Sequence, residues 1–136
     1  MSDTLVDSSV LLDILTNDPE WSQWSGANLD ECAKTGTLCI NAIIYAEVSI
    51  GFNLIEEVEE ALPAASFSRL HLPLEAAFLA GKAFVQYKRR GGARSAPLPD
   101  FFVGAHAAVA GLGLLTRDAA RIRTYFPTVK LISPDE

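Results

Sequence analysis

The stretch Leu5-Val6-Asp7-Ser8-Ser9-Val10-Leu11-Leu12-Asp13-Ile14-Leu15 carries the decision about the fold. Two apolar residues stop at an acid, two serines follow, and apolar side chains then recur at helical spacing. The pattern predicts a brief strand ending at Asp7 and a helix capped by Ser8 or Ser9. Working outward, Pro19 precedes a helix around residues 21–33, and Leu38-Cys39-Ile40 reads as a second strand. Asn41 caps a helix over 42–52, residues 56–62 form a helical segment stopped by Pro63, and 67–72 alternate as a strand or extended edge. Residues 74–88 form an amphipathic helix that ends at Gly91-Gly92. A loop over 94–99 leads into a helix from Asp100 to about Ala110. Leu114-Leu115 is a strand, 118–125 a helix and 129–132 a last strand. Strand and helix alternating in this way imply a parallel sheet covered by helices on both faces, an α/β sandwich.

At 136 residues with no linker, repeat or low-complexity tract, the expectation is a single domain spanning 1–136. A hydrophobic fraction of 49% against 21% charged residues excludes disorder and coiled coil. No apolar run reaches the ~20 residues of a membrane span, and the N-terminus lacks the pattern of a secretory signal. Cys32 and Cys39 are too few and wrongly spaced for a disulfide framework or a zinc knuckle. Two reduced, buried thiols in a cytoplasmic protein are expected.

The net charge of -6 argues against a nucleic-acid partner until its distribution is read. Up to position 87 there are 13 acidic and 3 basic residues; beyond it there are 4 acidic and 8 basic. Lys88, Arg89, Arg90, Arg94, Arg117, Arg121, Arg123 and Lys130 make up that basic third. Such asymmetry marks either a face for an anionic ligand or a set of solvated helix faces.

In parallel α/β sheets, ligands bind beyond the carboxyl ends of the strands. Asp7 and Asp118 fall there. Glu47 is the sole charge in an otherwise apolar helix, and Asp100 opens another. An ionised carboxylate in apolar surroundings is costly unless a cation compensates it. A divalent ion would do so, since Mg²⁺ and Mn²⁺ prefer oxygen ligands. The structural alternatives are helix capping for Asp100 and Asp118 and an Asx-turn for Asp7. Glu47 has the weakest such alternative.

Four segments in order resemble the PIN-domain ribonucleases, specifically the VapC-type toxins of toxin–antitoxin modules. They are Val6-Asp7-Ser8-Ser9-Val10-Leu11-Leu12, Asn41-Ala42-Ile43-Ile44-Tyr45-Ala46-Glu47-Val48, Leu98-Pro99-Asp100-Phe101-Phe102-Val103-Gly104-Ala105-His106-Ala107 and Leu114-Leu115-Thr116-Arg117-Asp118. The closing Tyr125-Phe126-Pro127 and Leu131-Ile132-Ser133-Pro134 also look like that family. The resemblance implies a three-layer α/β/α fold with a mainly parallel sheet. It implies a metal-dependent endoribonuclease with Asp7, Glu47, Asp100 and Asp118 as catalytic and metal-holding acids, Mg²⁺ or Mn²⁺ as cofactor, and 5′-phosphate and 3′-hydroxyl products.

By the same resemblance Ser9 and Thr116 orient a carboxylate, a water or a phosphate oxygen. One departure is that Ala119-Ala120-Arg121 stand where many relatives place a further acid or amide. Arg94, in the loop that leads into Asp100, is the leading RNA contact, with Lys88, Arg89, Arg90, Arg117 and Arg121 as further phosphate holders. The competing expectation is that some of these arginines pair with acids of the N-terminal half. The resemblance also implies a homodimer and a cognate antitoxin lying in a groove near the acids, for which Trp21, Trp24, Phe52 and Leu54 are candidates. His106, six positions past Asp100, reads as a half-buried structural histidine, and His71 as a surface residue. The alternatives are a PIN-like binding module without catalysis and, well behind, phosphoryl transfer through Asp7. For the latter, Ser9 stands where a second acid is wanted.

Overall fold

Three strands are only three residues long and buried throughout: β1 (Thr4–Val6), β2 (Leu38–Ile40) and β4 (Gly113–Leu115). A strand with no solvent-facing side chain must be covered on both faces, as in a parallel sheet flanked by helices. The computed structural model describes residues 2–92 and 98–134 and has that arrangement. Five strands, completed by β3 (Ser68–Arg69) and β5 (Lys130–Ile132), pair in the order β3-β2-β1-β4-β5, all parallel.

The helices described are α1 (Ser8–Leu15), α2 (Ser22–Thr35), α3 (Ala42–Ser49), α4 (Ile55–Ala61), α5 (Leu74–Arg89), α6 (Leu98–Ala110) and α7 (Ala120–Tyr125). α1 packs on α2 and α3, α3 on α4, α5 on α6, and α6 on α7, while α3 also meets α6. Among the described residues no helix is long and apolar enough to cross a membrane.

The chain winds outward from β1 through β2 to β3, then returns to lay β4 on the other side of β1. The order therefore reverses between β1 and β4, which opens a crevice at their carboxyl ends. Register then places the residues that matter. Leu5 stands between Cys39 and Leu114, and Val6 is level with Leu115. The Asp7 amide donates to the Leu115 carbonyl at 2.9 Å, so Asp7 and Thr116 leave the sheet side by side.

Leu5, Val6, Ile40, Ile44, Leu114 and Phe101 are fully buried around this crevice floor. Each such side chain contributes about 1.5–3 kcal/mol relative to exposure. Cys32 and Cys39 are free and buried, and burial pushes both thiols up.

Three helix starts differ from the sequence expectation. The cap of α1 is Asp7 itself, whose Oδ1 accepts the Ser8 amide at 2.9 Å, rather than Ser8 or Ser9. α6 begins at Leu98, so Asp100 sits inside the first turn and is not its cap. Pro99 does not prevent this, because a first-turn amide has no intrahelical partner to lose. α7 begins only at Ala120, so Asp118 does not cap it either. The Asp118 amide is taken instead by Thr116 Oγ1 at 3.1 Å, which folds Thr116-Arg117-Asp118 into a hydroxyl-stabilised turn. Asn41 caps α3 as expected, with its Oδ1 accepting the Ile44 amide at 3.0 Å. Gly91 (φ 85°) follows the end of α5, and the Gly92 amide reaches back to the Tyr87 carbonyl at 2.9 Å. A left-handed residue at that position is what glycine supplies.

Candidate active site

Asp7 is the most enclosed of the four acids. Its Oδ1 takes the Ser8 amide, and its Oδ2 accepts Thr116 Oγ1 at 2.7 Å and Ser9 Oγ at 3.3 Å. Burial raises its proton affinity above the usual carboxylate range, and the Asp118 charge adds to this; the three hydrogen bonds oppose it. Glu47 arrives from α3, where Oε1 accepts Ser8 Oγ at 2.8 Å. Burial pushes its carboxyl up, the Ser8 hydroxyl pulls it down, and the Asp7 charge raises it again.

Asp100 enters from the first turn of α6 and is pushed up to about 6. Burial is the main cause, then the charge of Asp7; Arg121 acts against them, while Glu47 and Asp118 add to the rise. Asp118 is exposed, on the turn that leaves β4. The four acids of the sequence reading thus lie toward one end of the sheet, near enough for each of the other three to act on Asp100 through its charge. Ser8 Oγ donates to Glu47, and Thr116 Oγ1 donates to the Asp7 carboxylate while accepting the Asp118 backbone amide.

Carboxylates that raise one another are a donor set short of positive charge, and hard oxygen ligands are what Mg²⁺ and Mn²⁺ take. Among the described residues, no three His, Cys, Asp or Glu side chains are grouped so that together they could hold an ion. Mg²⁺ does not demand that; it binds through one or two carboxylates and keeps several waters. The residues present fit such an ion by chemistry and charge.

Several side chains take roles that the sequence reading did not give them. Arg117 does not stand free for phosphate. Its Nε and Nη2 donate to Asp13 at 2.8 and 2.9 Å, and its guanidinium lies 5.1 Å from the Trp21 ring centroid. Asp13, 3% exposed, also accepts Ser25 Oγ at 2.8 Å. Here the competing expectation, an arginine paired with an N-terminal acid, is the one realised. Arg121 likewise binds an acid, with Nη1 2.6 Å from Asp100 Oδ2.

Ser8, which the sequence reading did not single out for this, holds Glu47, while Ser9 Oγ donates to the Asp7 carboxylate and accepts the Arg117 amide at 3.3 Å. His106 is fully buried, not half-buried, with Nδ1 2.9 Å from Asn41 Nδ2. That pair ties α3, which carries Glu47, to α6, which carries Asp100. His71 is exposed. Lys88, Arg89 and Arg90 are exposed at the end of α5, with Arg90 5.3 Å from the Tyr125 ring centroid. Arg94 lies outside the described residues. Of the candidate groove residues, Trp24 and Phe52 pack against the core, Trp21 stands edge-on to Trp24, and Leu54 is 59% exposed.

The family described as the PIN domain matches this sequence over residues 4–127. No curated protein matches it significantly. Among solved structures, VapBC2 from Rickettsia felis, bound to a DNA fragment from its promoter, is similar at a TM-score of 0.74 and 17% identity, over 98% of this chain and 99% of that one. FitAcB from Neisseria gonorrhoeae is similar at 0.71 and 21%, over 95% and 96%. VapBC-5 from Mycobacterium tuberculosis, a member of the VapBC family of toxin–antitoxin systems, is similar at 0.59 and 16%, over 98% of both chains. At such identities the likeness is one of fold.

Proposed function

Because this chain belongs to the PIN-domain family, we propose that it is the toxin of a toxin–antitoxin pair, a cytoplasmic endoribonuclease that depends on Mg²⁺ or Mn²⁺. What supports this reading best is the placement of the four acids at the carboxyl end of the sheet, where Asp100 is pushed up to about 6 by burial and by the charges of the other three. Solved VapBC structures of the same fold, one described as a member of a family of toxin–antitoxin systems, support the toxin assignment and, with it, a cognate antitoxin; a homodimer is part of the same proposal.

In this reading Asp7 and Asp100 hold the ion, and Glu47 and Asp118 complete the site directly or through water. A bound divalent ion lowers the pKa of a water and neutralises charge developing at the scissile phosphodiester. The chain's own residues fix the geometry. Thr116 and Ser9 hold the Asp7 carboxylate in one orientation, and Ser8 does the same for Glu47. Lys88, Arg89, Arg90 and Arg94 attract the phosphates that an acidic pocket would repel. Cleavage leaves 5′-phosphate and 3′-hydroxyl ends.

The test is a cleavage assay on single-stranded RNA, with Mg²⁺ or with EDTA. Cleavage that requires the ion and vanishes in Asp7→Asn, with that variant's circular dichroism unchanged, is the expected result. Full activity in Asp7→Asn removes Asp7 from the site. RNA binding without cleavage in any divalent ion makes the chain a PIN-like binding module instead.

A further inference from the structure

We infer that Arg121 is an exchangeable counter-cation, bound to Asp100 while no divalent ion is present and handed to an RNA phosphate when an ion takes its place. This rests on the reading of the four acids as a metal site.

The contact is direct, with Nη1 2.6 Å from Asp100 Oδ2, and both side chains keep about a third of their surface in solvent, 30% and 29%. Asp13–Arg117 is a different kind of pair. Its acid is 3% exposed and held by three side-chain donors, so it has no room to change partners. The Arg121 guanidinium also lies 5.3 Å from the Tyr87 ring centroid and 5.9 Å from that of Phe101.

Aromatic faces attract a guanidinium without using its N–H donors. The cradle therefore keeps the cation at the mouth of the crevice whether or not Asp100 is available to it. Five N–H donors in a planar fork suit a phosphate at least as well as a carboxylate. The chain also supplies Arg121 from the segment that supplies Asp118, three residues earlier, so base and acid border the same crevice.

An ion and a guanidinium that compete for one carboxylate are coupled, and the coupling is reciprocal. Removing the arginine charge should therefore strengthen the binding of the ion, which loss of an ordinary structural contact would not do. Mn²⁺ binding to the metal-stripped full chain, followed by calorimetry at one pH and salt, reads this. Arg121→Gln is expected to bind Mn²⁺ about tenfold tighter than the unmodified chain, the scale set by removing one positive charge a few ångströms from a dication in water. Arg121→Lys, which keeps the charge, is expected to bind as the unmodified chain does. Should Arg121→Gln fail to fold, Arg121→Met keeps the stem against the rings and carries the same comparison.

Equal or weaker Mn²⁺ binding in the neutral variant, with normal binding in the unmodified chain, overturns the exchange and leaves the metal site standing. A similar gain in Arg121→Lys and the neutral variant overturns it too, because shape rather than charge would then be responsible. Absence of Mn²⁺ binding in every form, Arg121→Gln included, overturns the metal site and this inference together.

Discussion

The Asp7 carboxylate takes three hydrogen bonds through two oxygens, and the shortest of the three, 2.7 Å, comes from Thr116 Oγ1. That hydroxyl also accepts the Asp118 amide, so one side chain fixes two of the four acids. Thr116→Val keeps the shape and removes both bonds; cleavage is expected to fall about 10–100-fold, the usual effect of losing an orienting partner behind a metal ligand. Turnover per folded molecule checks it. Proton linkage gives a second expectation. A carboxyl that folding raises from 3.8 to about 6, as at Asp100, takes up a proton on folding between those values. Metal-free stability from Asp100 therefore falls as pH climbs through that window; Asp7 and Glu47, whose carboxyls are also raised, act in the same sense. Buried His106, whose proton affinity is lowered, works in the opposite direction near its usual value. Metal binding displaces the carboxyl protons, so the stabilisation added by Mg²⁺ should grow with pH from about 5 to 7, and taking the difference cancels His106. Urea midpoints with Mg²⁺ and with EDTA at each pH measure it; a difference independent of pH would contradict the shifted carboxyls. In the sequence, Asp7 and Asp118 are visible because each follows an apolar strand, and Glu47 because it is a lone acid in an apolar helix. Asp13 gives the same signal as Glu47, yet its cation, Arg117, lies 104 positions away and no local pattern points to it. Ser8 and Ser9 are equally indistinct, because only the packing of α1 on α3 decides which one meets Glu47.

Elements here are held by a few polar pins set in an apolar bed. Asp13 on α1 grips Arg117 from the turn after β4 and Ser25 on α2, so three segments depend on one carboxylate. Asp13→Ala would strand the guanidinium and the hydroxyl. Loss of one partner from a fully buried pair costs roughly 3–5 kcal/mol, and the 28% exposure of Arg117 should hold the cost to about 2–3. Equilibrium urea unfolding measures this, and cleavage per folded molecule should drop less than in Thr116→Val. A larger catalytic than structural effect would place Asp13 in the chemistry. The Asn41–His106 bond pins α3 to α6 in the same way, across the two helices that bring Glu47 and Asp100. α7 is set by shape instead. A Cβ at Gly104 would come within 2.5 Å of the Phe126 ring, so this glycine allows α6 and the segment carrying Arg121 to approach. Element types were legible because short apolar runs alternate with helical periodicity and because Asn41 and Gly91-Gly92 punctuate it. Two features were not: the insertion of β4 beside β1, and the true starts of α1, α6 and α7. Alternation implies parallel strands without ordering them, and at α1 the start depended on which of three adjacent polar side chains, Asp7, Ser8 or Ser9, took the first free amide.

Over the whole molecule, charge is divided along the chain, and the fold decides how much of the basic third remains available to RNA. Arg117 is bound to Asp13, and Arg121 rests on Asp100. Lys88, Arg89 and Arg90 stand exposed at the end of α5, and Arg90 lies over Tyr125, in the aromatic cluster that also contains Tyr87 and Phe101. Those rings also cradle Arg121, so the cluster links the exposed cations to the acid-lined crevice. The expected RNA path runs from the end of α5 across these rings to Asp100. Each phosphate neutralised on a single strand contributes about 0.7 to the slope of log K against log salt. Replacing Lys88, Arg89 and Arg90 together by Gln should therefore flatten that slope by about 2 if all three make contact. The measurement is RNA binding by the cleavage-deficient Asp7→Asn protein across a salt series in EDTA. Arg117→Gln, in the same background, should leave the slope unchanged, because its charge is already spent on Asp13. If instead Arg117→Gln flattens the slope and the α5 variants do not, RNA crosses the α1 side of the crevice, and the path proposed along the aromatic cluster is wrong.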